Sequence, residues 1–181
     1  MGMRGVFHNT ALPAERAGTG DQRSSEYNYF LWRLEHGVAE GPVEIPSGEA
    51  LPLEYNLAGL GAVCFRKGCY IGQELTARSH FRGVVRKRVM PATFQDTSTS
   101  PPPPCPTTAV VAGNSVLTYG DEKKKMGRLS AVTKDLTRGL ALLRLQQALN
   151  PASELRVEDS EVAVRPLRPQ WWPSQWGTEE Q

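Results

Sequence analysis

The sequence predicts an α+β protein, in which a helical and loop-rich first part is followed by a small antiparallel β-barrel. Two observations predict this order. Up to Gly83, apolar residues recur at helical spacing and are interrupted by glycine and proline turns. After Gly83 the pattern changes to short alternating segments, and about five or six antiparallel strands suffice for a small barrel. We therefore expect three regions: residues 1–83, the barrel at 84–168 and a tail at 169–181.

In the first part, one helix is predicted over residues 27–36. Its apolar face consists of Tyr27, Phe30, Leu31 and Leu34. Ser24 and Ser25 are candidate N-caps, and Gly37 is expected to end the helix. Turns are predicted at residues 41–42 and 46–48. Residues 51–60 predict one or two helical turns. Within that segment, Glu54 and Asn56 fit loop hydrogen bonding and a role in a site about equally well.

In the second part, short strands alternate with turns. The predicted strands are residues 84–90, 116–119, 125–133, 155–158 and 162–167. Pro91 is expected to end the first strand or to confine it to a sheet edge. Residues 139–145 fit a buried strand or a short helix, since periodicity does not decide for a short apolar run. The proline-rich residues 97–108 predict an extended surface loop, in which Cys105 has no activating neighbour.

Length and composition exclude several classes of protein. The 181 residues can form one domain or two small ones, and 39% hydrophobic with 22% charged residues is ordinary for a soluble globular protein. A net charge of +2 does not by itself indicate a nucleic-acid or membrane partner, and no apolar run has the length of a membrane span. Three cysteines without a framework spacing indicate a reducing compartment. The first 26 residues lack a secretory core and contain acids that a mitochondrial transit peptide avoids.

One stretch, residues 67–74, combines a thiol with two glycines and a lysine. It reads, in order, Lys67, Gly68, Cys69, Tyr70, Ile71, Gly72, Gln73 and Glu74. The β-prone residues 62–65 before it predict a short strand, and residues 73–78 after it predict a helix with an ion pair between Glu74 and Arg78. Cys69 would lie at a strand-to-helix turn, where the positive helix end and Lys67 favour the thiolate. Such a thiolate can attack an electrophile or bind a metal. The alternative interpretation is a small buried residue beside a turn.

The octapeptide resembles the signature of the YgfZ-like folate-fold proteins, relatives of the glycine-cleavage aminomethyltransferase. Residues 51–57, 76–80 and 83–88 and the ending Trp171-Trp172-Pro173 are similar to segments of the mitochondrial branch of that family. The resemblance covers about residues 27–173 and is strongest at 42–88. It implies that residues 1–83 are a remnant of the central folate-fold domain and that the barrel is the family's C-terminal domain.

The resemblance also implies a function, because the mitochondrial branch assembles iron–sulfur clusters late, in the making of [4Fe-4S] proteins. It implies a non-enzymatic factor of the mitochondrial matrix that shares a transient [2Fe-2S] cluster with an A-type carrier protein. Cys69 would be the metal ligand, as a soft thiolate suits iron in such clusters. The implied cofactor-contacting residues are Lys67, Gly68, Tyr70, Gly72, Gln73, Glu74 and Arg78.

Two other functions are compatible with the family. The aminomethyltransferase relatives are folate-dependent one-carbon transferases, and tetrahydrofolate would need a carboxylate base and a closed cavity. The family's additional N-terminal domain supplies much of that cavity, and nothing in this sequence corresponds to it. The second alternative is a truncated isoform that folds and is inactive.

Other candidate sites have weaker support in the sequence. Cys64, Cys69 and His80 lack a fourth ligand and the usual spacing of structural zinc pairs. No nucleophile elbow, dinucleotide fingerprint or Walker pattern occurs. A basic run without acids is formed by Arg78, Arg82, Arg86, Lys87 and Arg88. It predicts a solvated strand face, or equally a surface for an acidic partner or for a small anion such as polyglutamyl folate. A single aromatic residue within it does not favour nucleic acid.

Overall fold

The computed structural model describes residues 26–98, 110–119 and 123–177. Three helices come first: α1 (Glu26–Glu35), α2 (Gly41–Glu44) and α3 (Gln73–Arg82). The strands follow, with a one-turn helix after the fourth: β1 (Lys87–Asp96), β2 (Ser115–Thr118), β3 (Lys125–Val132), β4 (Arg138–Arg144), α4 (Leu145–Ala148), β5 (Leu155–Val157) and β6 (Val162–Pro166). The predicted α+β class is confirmed. The predictions for Ser24, Ser25 and Cys105 concern residues outside the described ranges.

The six strands close into an antiparallel barrel in the order β1-β4-β3-β2-β5-β6. Closure runs through β1 and β6, whose register pairs Ala92 with Pro166 and Asp96 with Val162. Since every strand has two neighbours, the barrel presents no open edge. The predicted small barrel is therefore confirmed, and the ambiguous residues 139–145 divide between β4 and the start of α4.

Alternate residues of each strand fill the barrel interior. The buried cluster consists of Ala92, Phe94, Val110, Val116, Met126, Leu129, Ala141, Leu143, Leu155, Val157, Val162 and Val164. A second cluster on the outer face is formed by Leu34, Tyr55, Val89, Ala131, Leu140 and Leu142. Strand β4 thus contributes to both clusters and is buried on both faces. This explains why its sequence is continuously apolar and lacks a strand period.

Strand β1 differs from its prediction in both bounds, because it begins at Lys87 and runs through Pro91 to Asp96. Val89 donates its N–H to Glu54 O, and Pro91 O accepts from Leu167 N, so these residues direct their backbone groups away from β4. The missing N–H of Pro91 therefore removes no hydrogen bond from the β1–β4 ladder, and β6 pairs only from Ala92 onward. Proline is tolerated inside this strand for that reason.

In the first region, α1 confirms the predicted helix to within one residue. The turn predicted at residues 41–42 is instead the first turn of α2, which has proline near its start. Residues 52–61 form consecutive hydrogen-bonded turns without a regular helix. None of the described helices is long and apolar enough to cross a membrane.

A buried ion pair joins α1 to α2. Arg33 donates to both carboxylate oxygens of Glu44, at 2.6 and 2.8 Å, and its Nη1 also donates to Val38 O at 2.7 Å. Burial opposes the charged guanidinium, but the hydrogen bond and charge of Glu44 outweigh it, so the pKa of Arg33 is raised. The pair fixes the first two helices relative to each other.

The segment 51–61 is bound to β1 by four hydrogen bonds. Asn56 Nδ2 donates to Val89 O at 2.8 Å, and Val89 N donates to Glu54 O at 2.8 Å. Arg88 Nη1 donates to Leu53 O at 2.8 Å and to Asn56 Oδ1 at 3.4 Å. The C-terminal tryptophans cover the same segment, since a Cβ at Gly59 would lie 2.5 Å from the Trp176 ring and 2.8 Å from the Trp171 ring. The part of the tail that the structure describes is therefore packed against residues 51–61.

Asn56 should be the most sensitive single position of this contact. It is fully buried and has a φ of 63°, a backbone conformation that asparagine tolerates better than other non-glycine residues. Asn56→Ala leaves Val89 O unpaired and places alanine in a strained conformation, so we expect it to lower the free energy of unfolding by about 2–4 kcal/mol. Asn56→Gly loses the same hydrogen bond without the strain and should cost about 1 kcal/mol less. Urea unfolding measures both, and equal losses would contradict the backbone argument.

A second prediction concerns pH and the turn between β3 and β4. The hydrogen bond from Thr133 Oγ1 holds the pKa of Asp135 below its ordinary value of 3.8, supported by the Thr137 N–H. A carboxylate with a depressed pKa stabilises the fold above its ordinary pKa, and this contribution is lost as pH falls through the folded value. Asp135→Asn should melt at a lower temperature than the parent chain at pH 7. At low pH the two melting temperatures should become equal. A difference that persists unchanged at pH 3 would show that the carboxylate charge is not the cause.

Candidate functional site

Cys69 lies in an exposed loop, residues 62–72, that leads into α3. The strand predicted at residues 62–65 is wrong, so Cys69 lies at a loop-to-helix junction. The barrel is closed and offers no edge, so a short β-prone segment finds no strand with which to pair. Cys64 and Cys69 are both exposed free thiols. The interpretation of Cys69 as a small buried residue is therefore wrong as well.

An aromatic contact holds the loop against α3. The Phe65 ring stacks on His80 with a centroid distance of 3.9 Å and an interplanar angle of 6°, and it meets the edge of Phe81 at 5.6 Å. Phe65 thus lies beside the last turn of α3, whereas Gly72 precedes its first turn. The loop runs back along the helix for about 10 Å, at 1.5 Å per residue. Sequence reasoning missed this contact, for which the only signal is the presence of three aromatic rings.

The turn next to Cys69 is closed by Tyr70 and Gln73. Tyr70 donates its N–H to Gln73 Oε1 at 3.1 Å, and Gln73 donates its N–H to Tyr70 O at 3.2 Å. Gly72 has a φ of 84°, in the left-handed region that favours glycine, although an added Cβ would meet no atom within 4 Å. A Cβ on Gly68 would likewise meet nothing. Gly72 therefore serves the backbone turn, and Gly68 leaves open surface beside the thiol.

The charged residues of the octapeptide have partners. Lys67 Nζ lies 5.0 Å from the centroid of the Tyr70 ring, a cation–π distance. The ion pair predicted between Glu74 and Arg78 is confirmed, and both side chains are exposed. Glu74 lies in the first turn of α3, where a carboxylate is favoured by the helix dipole. An exposed pair of this kind contributes only about 0.3–0.5 kcal/mol to the helix.

Glu54 and Asn56 are both held by contacts with the start of β1. Glu54 Oε1 lies 3.3 Å from Lys87 Nζ, and the Asn56 side chain is bonded to β1. The hydrogen-bonding interpretation is therefore confirmed for Asn56, whereas Glu54 forms an ion pair and also lines a cavity between residues 51–54 and α3. Arg88 is 5% exposed, so the basic run is not one solvated strand face, and that prediction is wrong.

The candidate metal ligands are not assembled into a closed site. Within residues 26–98, 110–119 and 123–177, no group of three or more His, Cys, Asp or Glu side chains could hold a metal ion. His80 stacks on Phe65. An exposed thiol such as Cys69 can still supply one ligand to iron when the other ligands come from a second molecule. The described residues alone therefore do not assemble a complete metal site.

Comparisons with known proteins cover the barrel and most of the first region. Residues 86–174 match the family model of the CAF17 C-terminal beta-barrel domain. The "Iron-sulfur cluster assembly factor IBA57, mitochondrial" of Homo sapiens is 40% identical over 155 residues, which are 86% of this chain and 40% of that protein. The Mus musculus protein is 39% identical over 147 residues, which are 81% of this chain and 38% of that protein. The Mycosarcoma maydis homolog is 34% identical over 206 residues, which cover 96% of this chain and 51% of that protein. The chain spans about 40% of the first two relatives and about half of the third.

The geometry of the loop predicts an order of thiol reactivity. Cys69 lies close to the N-terminus of α3 and two residues from Lys67, whereas Cys64 lies beside Phe65 at the other end of the helix. We expect iodoacetamide at pH 7 to alkylate Cys69 several-fold faster than Cys64, because positive potential favours the reactive thiolate. Peptide mass spectrometry over a time course measures both rates and that of Cys105.

The Lys67→Ala variant serves as the matched control for this order, because it removes one positive charge and leaves the helix in place. It should slow the labelling of Cys69 and leave Cys64 unchanged. Faster labelling of Cys64 or Cys105 than of Cys69 in the parent chain would contradict the electrostatic argument.

Proposed function

Because the chain belongs to the IBA57/CAF17 family and carries its C-terminal portion, we propose that it acts in the assembly of mitochondrial iron–sulfur proteins. Its relatives are named as assembly factors, which supports a non-enzymatic role. Their names also contain the word mitochondrial, which supports a mitochondrial location for this chain, and we propose the matrix as its compartment. The iron–sulfur cluster is then the cargo of the protein and not its resident cofactor.

In finer detail, the chain shares a [2Fe-2S] cluster with an A-type carrier protein during the maturation of [4Fe-4S] proteins. The observation that carries this proposal is the exposed Cys69 thiol, which has no complete ligand group around it in the described part of the chain. A cluster iron needs further thiolate or imidazole ligands, so a partner must supply them. A single exposed ligand lets the cargo pass on, whereas a closed four-ligand site would retain it.

The other octapeptide residues support the thiol in this role. The reciprocal bonds of Tyr70 and Gln73 and the turn at Gly72 fix the loop, so that Cys69 is presented from a defined position. Lys67 and the N-terminus of α3 supply positive potential next to a thiolate-ligated, anionic cluster. The open surface at Gly68 allows the backbone of a partner to approach. The exposed Glu74–Arg78 pair stabilises the helix end on which this arrangement depends.

The surface around the thiol supports a protein partner. Ile71, Leu75 and Phe81 are exposed by 103%, 58% and 67%, although their side chains are large and apolar. Ile71 and Leu75 lie on either side of the start of α3, next to the Cys69 loop, and Phe81 lies in its last turn. Exposed large apolar side chains of this kind are typical of protein–protein contact surfaces. A carrier that binds there would exclude water from the shared cluster.

Cys69→Ser tests the assignment of the ligand. Cys69 is exposed, so the change should alter the free energy of unfolding by less than about 0.5 kcal/mol. A serine hydroxyl stays protonated near neutral pH and is a poor ligand beside thiolates, so cluster sharing should be lost. The measurement is anaerobic mixing of the purified chain with a cluster-loaded A-type carrier, followed by visible absorption and native mass spectrometry of the complex.

Cys64→Ser is the matched control, since it removes the other exposed thiol from the same loop. It should form the cluster-bearing complex as the parent chain does. Retention of the cluster by Cys69→Ser would refute the ligand assignment. Loss of the thermal melt in Cys69→Ser would instead show that the residue supports the fold.

A further inference from the structure

A second feature, separate from Cys69, is a cavity of about 380 Å³ lined by three arginines, Arg86, Arg88 and Arg144. It lies between the start of β1, the junction of β4 with α4, and residues 175–177. Its lining contains no aspartate or glutamate. None of the three arginines forms an ion pair with a carboxylate in the described part of the chain. The cavity therefore concentrates positive charge without a counter-ion from these residues.

Arg88 is the buried member of the three and is only 5% exposed. Its Nη1 donates to Leu53 O at 2.8 Å and to Asn56 Oδ1 at 3.4 Å, and its Cζ lies 3.4 Å from the centroid of the Trp176 ring. Its buried Nε has no hydrogen-bond partner among the described residues. Burial lowers the pKa of Arg88 to about 10, so the guanidinium remains charged at neutral pH. A buried charge without an opposite charge is costly, and this one is offset only by neutral contacts.

Arg86, which precedes β1, and Arg144, the last residue of β4, lie at the adjoining ends of these two strands. Leu145 donates its N–H to Arg86 O at 2.9 Å, and the β1–β4 register places Lys87 opposite Arg144. Both side chains are exposed, line the same cavity and lack a carboxylate partner in the described structure. An anion bound in the cavity would supply the opposite charge that the described residues do not, and would offset the burial of Arg88.

We propose that this cavity binds a small ligand that carries a carboxylate or phosphate group, held between the three guanidinium groups. The planar fork of arginine matches both oxyanions in a bidentate way. The volume lies within the range of about 300–1,000 Å³ that is typical of small-molecule sites. Gln147 and Gln175 also line the cavity and add amide groups at its rim. Since Arg88 already covers the Trp176 ring, the recognition is ionic and does not depend on stacking.

The arginine-lined cavity lies near the candidate site around Cys69 but is a separate cavity. Residues 84–86 also line a neighbouring cavity of about 520 Å³, whose other walls include Leu75, Thr76 and Ser79 of α3. An anion bound among the arginines would therefore lie on the far side of residues 84–86 from the helix that follows Cys69. The anion site thus shares residues 84–86 with the neighbouring cavity and does not include Cys69.

Calorimetric titration of the full chain with citrate and with pyrophosphate, at constant ionic strength, tests the proposal. We expect saturable binding of at least one probe at a 1:1 ratio, and the tighter probe assigns the ligand to the carboxylates or to the phosphates. Arg86→Gln and Arg144→Gln each remove one charge-assisted contact and should weaken binding about tenfold or more. Both positions are exposed, so their variants should fold as the parent does, whereas Arg88 is better left intact.

Lys134→Gln is the charge-matched control. Lys134 is exposed in the turn that precedes β4, at the opposite end of that strand from Arg144, so its loss should change the affinity less than twofold, on the order of a general charge effect. Absence of saturable binding for both probes would overturn the proposal. Equal weakening in Lys134→Gln, or unchanged affinity in both arginine variants, would overturn it as well.

Discussion

The hydrogen bonds between residues 53–56 and the start of β1 join the two parts of the molecule. Val89 would otherwise present both backbone groups to the outer side of the barrel, where no strand is available to pair with them. Asn56, in a left-handed conformation, turns its amide toward Val89 O and its carbonyl oxygen toward Arg88. Unpaired buried backbone groups are costly, so the barrel wall depends on this non-regular segment as much as on its own ladders.

The same constraint determines where the exposed thiol can lie. Closure of the barrel removes every strand edge, and the outer face of β1 and β4 is already covered by α1 and residues 51–61. The chain between residue 62 and α3 therefore has no sheet to join and instead packs Phe65 on His80. A loop attached at Phe65 and at the Tyr70–Gln73 turn is ordered at both ends and exposed between them.

Most of the fold was predictable because local patterns specify it. The α1 helix, the hairpin of β5 and β6 and the barrel class followed from periodicity and turn residues. The errors concern contacts that are distant in the sequence. Residues 62–65 have strand propensity and no partner strand, and Pro91 continues a strand because its missing N–H faces away from β4. The octapeptide was recognisable from its residue types, but the stacking of Phe65 on His80 carries no periodic signal.

Burial explains why the basic run could not be interpreted from the sequence alone. Arg78 and Lys87 pair with Glu74 and Glu54, whereas Arg88, next to Lys87, is buried under Trp176 from the C-terminal end of the described chain. Adjacent residues of a strand face opposite sides, so two neighbouring cations reach different environments. A count of charges in the sequence does not distinguish the two residues. The contact between Arg88 and Trp176 in the folded chain does. Burial and packing, which a sequence pattern does not contain, therefore decide the role of each cation in this run.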